Sequence, residues 1–333
     1  MEKRVRKLKV GVVGCGLIAK LSHIPAIRRV PEVDLTFVVD SKLEWAKETA
    51  RRFLISNFSD NYADLFGNVD LVIVATPNSL HSEISCALLE NGIHVLCEKP
   101  MEVSFDKCKK MIDSQQKSKK ILMIGHNRRF ASNAKLLNEF INEGYFGEIK
   151  ELKLVLGHKH TSWPSQSKFG FNKILSGGGV LIDQGIHLID LLIWLSKKGY
   201  KVKGAEGKDI LKTGMEDYAK VKVEFENGGI GIIETSRIKE LNNICEIKGE
   251  RGWGKFHIDN ISFLEIFSED IKSCKKTRNS ILIKTAINNT HFDQFKHFLE
   301  CIYEKKSPLV DGGKAAQGIK MIEECYKVMR LTG

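Results

Sequence analysis

The sequence predicts an α/β fold of two domains, a doubly wound parallel sheet followed by an α+β domain with a mostly antiparallel sheet. The chain has 333 residues, more than one compact core usually holds. The first 125 residues alternate short apolar runs with helical patterns, as βα units with fully buried strands do. Beyond residue 127 the predicted strands follow one another, and Asn227-Gly228 joins two of them in a hairpin pattern.

The predicted elements follow from the period of the apolar residues and from the turn residues that bound each run. In the first domain the predicted strands are 8–13, 35–39, 69–75, 94–97 and 121–124, and the predicted helices are 45–53, 80–90, 105–117 and, interrupted by Pro25, parts of 17–30. In the second domain the predicted strands are 149–156, 219–226, 231–236, 244–248, 255–258 and 262–267, and the predicted helices are 134–143, 180–195, 292–303 and 314–329. We therefore expect domains at 1–126 and 127–333.

Composition narrows the class of protein. The hydrophobic fraction of 42% and the charged fraction of 28% are those of an ordinary globular chain. Neither a signal-peptide pattern nor a run of about 20 apolar residues is present, so we expect a cytoplasmic protein without a membrane span. The eight cysteines form no CxxC pair and are predicted to be buried thiols, and no metal site is predicted. His158 and His160 share a strand face and are interpreted as surface histidines, with a metal pair as the alternative.

The charge of the chain is basic, with a formal net charge of +11. Because the lysines are spread along the whole sequence, we interpret this as a solvated surface, and an anionic ligand is the alternative. No zinc-finger, RNP or basic-heptad motif is present, so nucleic acid is not an expected partner.

A glycine-rich loop follows the first predicted strand. The run from Gly14 to Ala19 has the form GxGxxA and opens a predicted helix, which is the context that a dinucleotide pyrophosphate requires. Gly14 permits the tight turn, Gly16 lets a phosphate approach the backbone, and Ala19 lets helix and strand pack closely. The helix N-terminus then presents N–H groups to the phosphates. This pattern predicts a nucleotide-binding Rossmann domain.

An acidic residue ends the second predicted strand. Asp40 lies about 20 residues past Ala19, where a carboxylate accepts hydrogen bonds from the adenosine ribose hydroxyls. A carboxylate there repels a 2′-phosphate, so NAD is favoured as the cofactor. Lys42 is able to pair with a 2′-phosphate, so NADP stays open.

Two further groups carry candidate chemistry. Glu98-Lys99-Pro100 follows the strand 94–97, at the edge of the sheet where ligands bind, and a lysine there stabilises a developing alkoxide. The predicted helix 180–195 is almost wholly apolar except for Asp183, His187 and Asp190. Their spacing places them on or near one helix face, and polar groups in a buried helix need partners or a ligand. The pattern predicts a site.

Taken in order, these motifs resemble the Gfo/Idh/MocA family, which includes glucose–fructose oxidoreductase and inositol dehydrogenase. The ordered set is Gly14 to Ala19, Asp40, Ala75-Thr76-Pro77-Asn78 with His81, Glu98-Lys99-Pro100, Asn127-Arg128-Arg129-Phe130 and the glycine-led helix from Gly177 to Asp190. The resemblance covers nearly the whole chain. It implies a large, open-faced second sheet, a homo-oligomer and a sugar-like small-molecule substrate.

The resemblance also implies roles for particular residues. His187 is the acid/base, Lys99 polarises the reacting oxygen and helps to position the nicotinamide, Asp183 binds substrate hydroxyls, and Asp190 orients His187. The implied cofactor-binding residues are Gly14, Gly16, Leu17, Ile18, Asp40, Thr76, Pro77, Asn78, His81, Glu98, Lys99, Asn127 and Arg128. Substrate contacts are also conceivable at His160, Trp163 and Lys168, although no spacing rule supports them.

The predicted reaction is hydride transfer between a nicotinamide and a carbinol or ketone. A sugar, a cyclitol, a sugar acid and a nucleotide-linked sugar all remain open as substrates. The alternative is a dinucleotide-binding regulator of the same superfamily without turnover. Lys99, Asp183 and His187 are all present, which favours the enzyme.

Overall fold

A computed structural model describes residues 6–159 and 169–333. These residues divide into two compact units. Unit 1 contains the chain up to His126, the short segment that ends at Gly177, and His291–Ala316. Unit 2 contains the chain from Asn127, then Gly178–Thr290 and Gln317–Gly333. The first break falls at the predicted boundary, but two later segments return to unit 1, which differs from the predicted contiguous range 127–333.

Unit 1 is built on a six-stranded sheet. Its strands are β1 (Leu8–Val13), β2 (Val33–Val39), β3 (Asn57–Ser59), β4 (Leu71–Val74), β5 (His94–Cys97) and β6 (Leu122–Ile124). They lie in the order β3-β2-β1-β4-β5-β6, and every pairing is parallel. The predicted doubly wound sheet is confirmed. The order reverses between β1 and β4, and ligands of such sheets bind outside the strand C-termini at that point.

Unit 2 is built on a nine-stranded mixed sheet. Its strands are β7 (Ile149–Gly157), β8 (Tyr200–Lys208), β9 (Tyr218–Phe225), β10 (Ile230–Ser236), β11 (Ile244–Gly249), β12 (Gly252–His257), β13 (Phe263–Ser268), β14 (Ile281–Lys284) and β15 (Met329–Thr332). The order is β14-β13-β12-β11-β7-β10-β9-β8-β15. Only the β7–β10 and β8–β15 pairings are parallel among those described, so the predicted mostly antiparallel sheet is confirmed. The Asn227-Gly228 hairpin joins β9 to β10.

The helices have the following bounds: α1 (Ile24–Ile27), α2 (Leu43–Phe53), α3 (His81–Glu90), α4 (Phe105–Ser118), α5 (Ser132–Asn142), α6 (Lys173–Ser176), α7 (Ile186–Ser196), α8 (Lys272–Thr277), α9 (Thr290–Glu304) and α10 (Gly312–Val328). Short 3₁₀ turns lie at Tyr62–Leu65, Asn78–Leu80, Asn127–Phe130 and Phe169–Phe171. The core of unit 1 lies along β1, β4 and β5, where successive residues are buried, so both faces of the sheet are covered there. In β9 buried and exposed residues alternate, so one face of the second sheet is covered and the other is polar.

Two segments adopt a π-helical turn in place of the first α-helical turn, Ala19–His23 before α1 and Leu181–Gly185 before α7. In the first, the Ile24 N–H donates to the Ala19 carbonyl five residues back. Pro25 follows immediately, and because proline has no N–H and clashes with the carbonyl four residues back, a wider turn relieves the conflict. The predicted interruption by Pro25 therefore takes this form.

The stretch Lys173–Ser196 is long and apolar enough to cross a membrane by length and composition alone. Within its most apolar window, 72% is buried inside the protein, which is the behaviour of a core helix. The eight cysteines are buried, apart from the half-buried Cys86.

Candidate functional site

The glycine loop of unit 1 has the geometry that a pyrophosphate needs. Gly14 has φ +98°, and a Cβ there would lie 2.3 Å from the Ala75 carbonyl oxygen, so only glycine fits. A Cβ at Gly16 would meet nothing within 4 Å, which leaves the backbone open to a ligand. Ala19 is fully buried, while Leu17 and Ile18 are half-buried at the start of the helical segment. The loop therefore offers an open cradle at the end of β1 that fits a dinucleotide phosphate.

Asp40 ties the end of β2 to this loop. Its Oδ2 accepts a hydrogen bond from the Cys15 N–H (2.8 Å), and its Oδ1 accepts one from the Lys42 N–H (3.0 Å). An ionised carboxylate has about four acceptor positions, so two remain for ribose hydroxyls. The Lys42 ammonium lies 4.2 Å from the centre of the Trp45 ring, a cation–π distance. Asp40 is thus placed both to shape the loop and to accept from a ligand.

The segment after β4 contains Thr76, Pro77, Asn78 and His81. Thr76 and Pro77 are half-buried, and Asn78 is buried and donates to the Ser176 carbonyl (2.8 Å), which anchors α6. His81 is fully buried, with its Nδ1 2.8 Å from the Pro100 carbonyl oxygen and its Nε2 3.0 Å from that of Thr76.

This placement corrects the expectation that His81 contacts the cofactor directly. Burial lowers the pKa of His81 and favours the neutral ring, in which one ring nitrogen donates to a carbonyl while the other carries no proton, so the ring packs between the two segments and hydrogen-bonds one of them. His81 shapes the wall of the site through Thr76 and Pro100, and its side chain has no exposed surface for a ligand.

Glu98 and Lys99 follow β5, one buried and one half-buried. Glu98 is 7% exposed, and its Oε1 lies 2.7 Å from His23 Nε2. Burial alone would raise the pKa of Glu98, but the hydrogen bond from His23 and the charges of His23, His291 and Lys99 lower it to about 2. The carboxylate is therefore ionised and engaged with protein groups, and the cofactor-binding role expected of Glu98 stays a prediction.

A second histidine completes a cluster around Glu98. The rings of His23 and His291 lie 5.4 Å apart and nearly perpendicular. One donor atom from each of His23, Glu98 and His291 lies within 4.8 Å of the others, which makes the trio a possible set of metal ligands. The sequence predicted no metal site and singled out neither histidine.

In unit 2 the glycines before the π-helical turn are required by close packing. A Cβ at Gly179 would lie 2.1 Å from the Glu216 carbonyl oxygen, and one at Gly178 would lie 2.2 Å from the Tyr326 hydroxyl. The buried Glu216 accepts from the Leu181 N–H (3.0 Å) and from the Tyr326 hydroxyl (2.9 Å). Burial and the Glu216 charge raise the pKa of Tyr326, which keeps it a donor. Glu216 thus satisfies and fixes the helix N-terminus.

The three residues of this helix that the sequence predicts for the site are exposed to different extents. Asp183, in the π-helical turn, is exposed, His187 is half-buried, and Asp190 is buried. Both Asp190 oxygens accept from the Arg129 guanidinium, at 2.8 and 2.7 Å. This bidentate pair anchors α7 from within. Exposure thus decreases from Asp183 to Asp190 along the helix, and the side chains of Asp183 and His187 are the ones that a ligand is able to reach.

Asn127 and Arg128 are engaged within unit 2. Asn127 donates to the Thr290 hydroxyl (3.1 Å), and Arg128 donates to the Ile258 carbonyl and to Asp259. His158 contacts Glu240 and Asp259 at the surface. His160, Trp163 and Lys168 lie outside the described residues, so their suggested roles stay predictions.

Comparison with known proteins decides the family. A model described as "Oxidoreductase family, NAD-binding Rossmann fold" matches residues 8–126, and one described as "GFO/IDH/MocA C-terminal domain" matches residues 135–255. The chain belongs to the Gfo/Idh/MocA family of oxidoreductases. The resemblance seen in the ordered motifs is thereby confirmed.

Individual relatives of this Gfo/Idh/MocA chain are named dehydrogenases. A D-glucoside 3-dehydrogenase from Escherichia coli K12 is 31% identical over 249 residues, 69% of this chain and 70% of that protein. A myo-inositol 2-dehydrogenase from Thermotoga maritima is 24% identical over 320 residues, 93% of each chain. A solved levoglucosan dehydrogenase, in complex with NADH and levoglucosan, superposes with a TM-score of 0.89 at 22% identity over 97% of each chain, which shows a shared fold.

Several residues that the structure makes important were missed by sequence reasoning. Glu216, Arg129, His23 and His291 all bind groups far away in the chain, so no local spacing points to them. Arg129 had one signal, because a buried Asp190 in an apolar helix demands a cationic partner.

Proposed function

We propose that this protein is an NAD(P)-dependent dehydrogenase that interconverts a secondary hydroxyl and a ketone on a ring polyol, either a sugar or a cyclitol. The observation that carries the proposal is the combination of two features in one chain. Unit 1 holds an open glycine cradle at Gly16 beside Asp40. Unit 2 presents an exposed Asp183 and an accessible His187 at the start of a buried helix.

The acid–base step is assigned to His187. A neutral imidazole has one basic ring nitrogen, which is able to accept a hydroxyl proton during oxidation and return it during reduction. Asp183, exposed in the π-helical turn, accepts hydrogen bonds from neighbouring substrate hydroxyls. Asp190, fixed by Arg129, holds the helix α7 from which His187 extends.

Lys99 is assigned to the reacting oxygen. Its ammonium donates to that oxygen and stabilises the charge that develops when the hydroxyl proton leaves. It follows Glu98 directly, and the Lys99 N–H donates to Glu98 Oε2 (3.0 Å), so its backbone is held in place. When bound, the nicotinamide supplies or accepts the hydride.

NAD is the favoured cofactor because of the position of Asp40. A 2′-phosphate near this carboxylate would place two anions together in a partly buried site. Lys42 offers the only compensation that we assign, and in the described structure its ammonium lies over Trp45. NADP is therefore accepted less well under this proposal.

The substrate class is supported by the relatives. Those named above act, by their names, on inositol, on D-glucosides and on levoglucosan. Ring polyols share a row of secondary hydroxyls, which suits an exposed carboxylate beside an acid/base histidine. A cyclic polyol is therefore our first choice over an open-chain sugar acid.

The direct test is a turnover assay of the purified protein with NAD and with NADP. The panel contains inositols, glucosides, anhydrosugars, sugar acids and nucleotide-linked sugars, each with and without His187→Ala. We expect reduced nicotinamide from one ring-polyol class, lost in the variant. Tight cofactor binding with no turnover on alcohols, or on the matching ketones with NADH, would instead indicate a non-catalytic regulator.

A further inference from the structure

We propose that His23 and His291 are positioning residues that hold the Glu98 carboxylate and, through Glu98, place Lys99 for reaction. The inference rests on the proposed function of Lys99. The two histidines are far apart in the sequence, so no local pattern predicts that they act on the same carboxylate. We call His23, Glu98 and His291 the positioning cluster.

The first step is that the His23–Glu98 contact is shielded from water. His23 is 1% exposed and Glu98 is 7% exposed. An unpaired carboxylate so deeply buried would be costly, whereas one that accepts from an imidazole N–H at 2.7 Å is stabilised. The hydrogen bond from His23 therefore stabilises the buried Glu98 carboxylate next to Lys99.

The second step is that Glu98, held by His23, in turn holds the backbone of Lys99. Its Oε1 faces His23, and its Oε2 accepts the Lys99 N–H at 3.0 Å. Gly125 packs against it, because a Cβ there would lie 3.1 Å from both Cα and Oε1 of Glu98. With both oxygens engaged and its far side packed, Glu98 fixes the backbone from which the Lys99 side chain extends.

The third step is that the positioning cluster joins three separate elements of unit 1. His23 ends the π-helical turn after the glycine loop, Glu98 follows β5, and His291 lies at the start of α9. The start of α9 is held further by Arg29, whose guanidinium lies 4.0 Å from the centre of the Phe292 ring. The phosphate-binding helix and the Lys99 backbone are thus tied to one another.

A metal ion is the competing occupant, since two imidazoles and one carboxylate form a common zinc set. Two ligands at about 2.0–2.1 Å from a tetrahedral zinc lie roughly 3.3 Å apart. His23 Nε2 and Glu98 Oε1 lie 2.7 Å apart, which is the distance of a hydrogen bond between them. The geometry therefore favours a proton between these groups.

The test compares single variants of the full-length protein. Glu98→Gln and His23→Ala should lower kcat by about 10- to 100-fold, the scale expected when a reacting group is displaced, with cofactor Kd within about threefold. His291→Ala should have a smaller effect of the same kind. His23→Gln keeps an N–H donor near the Nε2 position and should recover most of the loss. His94→Gln, in the strand that leads to Glu98, is the matched control and should leave kcat unchanged.

Two results would overturn the proposal. If cofactor Kd, kcat and melting temperature all deteriorated together and His23→Gln gave no recovery, the positioning cluster would be merely structural. If Zn²⁺ raised the melting temperature of the wild type but not of His23→Ala, the trio would be a metal site.

A spectroscopic measurement separates failure of this inference from failure of the proposed function. The side-chain ¹⁵N signals of His23 should report an Nε2–H donor in the wild type and should shift in Glu98→Gln, whether or not a substrate is found. Unchanged His23 signals would contradict the contact itself. A wild type without turnover but with the expected shift would contradict only the function assigned to Lys99.

Discussion

The two π-helical turns place a histidine in opposite environments. In unit 1, His23 ends the turn Ala19–His23, is 1% exposed and lies against Glu98. In unit 2, His187 follows the turn Leu181–Gly185, is half-buried and lies one helical turn from the exposed Asp183. The same backbone irregularity, common at functional sites, thus accompanies a histidine that is buried against a carboxylate and a half-buried histidine to which we assign the acid–base step.

The difference arises from what causes each turn. Before α1, Pro25 forces the wider turn, and the side chain at its end is carried into the interior. Before α7, packing dictates the entry of the chain, since Gly179 lies against Glu216 and Gly185 lies against Leu181 and Thr235. Within the second turn Asp183 is left exposed. Under our proposals, burial more than residue type therefore separates a positioning histidine from a reacting one.

The largest expected effect tests the accessible histidine. His187→Ala should lower kcat by about 10²–10⁴-fold, the usual contribution of a general acid–base group, with NADH affinity near wild type. Steady-state kinetics and NADH fluorescence titration measure the two quantities. His158→Ala is the control, because His158 lies at the surface of the same unit and contacts Glu240. Full turnover in His187→Ala would show that the histidine after the second turn is not the acid/base.

The next effect tests what anchors the second turn. Asp190→Asn or Arg129→Met leaves one charge of a buried bidentate pair without its partner, since both groups are 3% exposed. We expect a loss of about 3–5 kcal/mol in the free energy of unfolding, measured by urea denaturation. The double variant should lose less than the sum of the two. Additive losses would show that the two residues act independently.

The third effect tests whether Asp40, which hydrogen-bonds the glycine loop, sets the choice of cofactor. Asp40→Ala removes the carboxylate that we assign to the ribose and should narrow the proposed preference for NAD over NADP by about tenfold, or 1.4 kcal/mol. The ratio of kcat/KM for the two cofactors measures it, and Lys42→Ala should shift the ratio the opposite way. An unchanged ratio in Asp40→Ala would take Asp40 out of the ribose site.

The fold was predictable where periodicity and turn residues agree. The strands β1 and β5 coincide with their predicted ranges, and the hairpin at Asn227-Gly228 was visible from the dipeptide alone. Two of the missed strands, β3 and β8, lack such a signal. β3 has three residues, and β8 mixes lysines with two glycines, which are depleted in strands. Their pairing depends on neighbouring strands that no local pattern reveals.

The site was predictable where chemistry is local. The glycine loop and the trio Asp183, His187 and Asp190 each occupy one short segment. The partners of these groups were not predictable, because residues such as His23, Glu98 and His291 are far apart in the sequence and come together only in the folded chain. His81 was assigned to the cofactor from its sequence position, and its complete burial limits its side chain to protein contacts. Burial follows from tertiary packing, so the sequence alone does not set that role.

The smallest expected effect concerns a histidine that belongs to neither turn. Burial first, and the charge of Lys120 second, lower the pKa of His94 to about 4, and its Nδ1 accepts the Ile121 N–H at 3.0 Å. The unfolded chain protonates His94 near pH 6.5, so its stabilising contribution is complete above pH 6.5 and is lost as the pH falls towards 4.

His94→Gln keeps an acceptor but does not titrate. Between pH 6 and pH 4.5 its unfolding free energy should therefore fall less steeply than that of the wild type, by up to about 1.4 kcal/mol per pH unit for one proton. Urea denaturation across this range measures the slope. Parallel slopes would show that His94 is protonated equally in the folded and unfolded states.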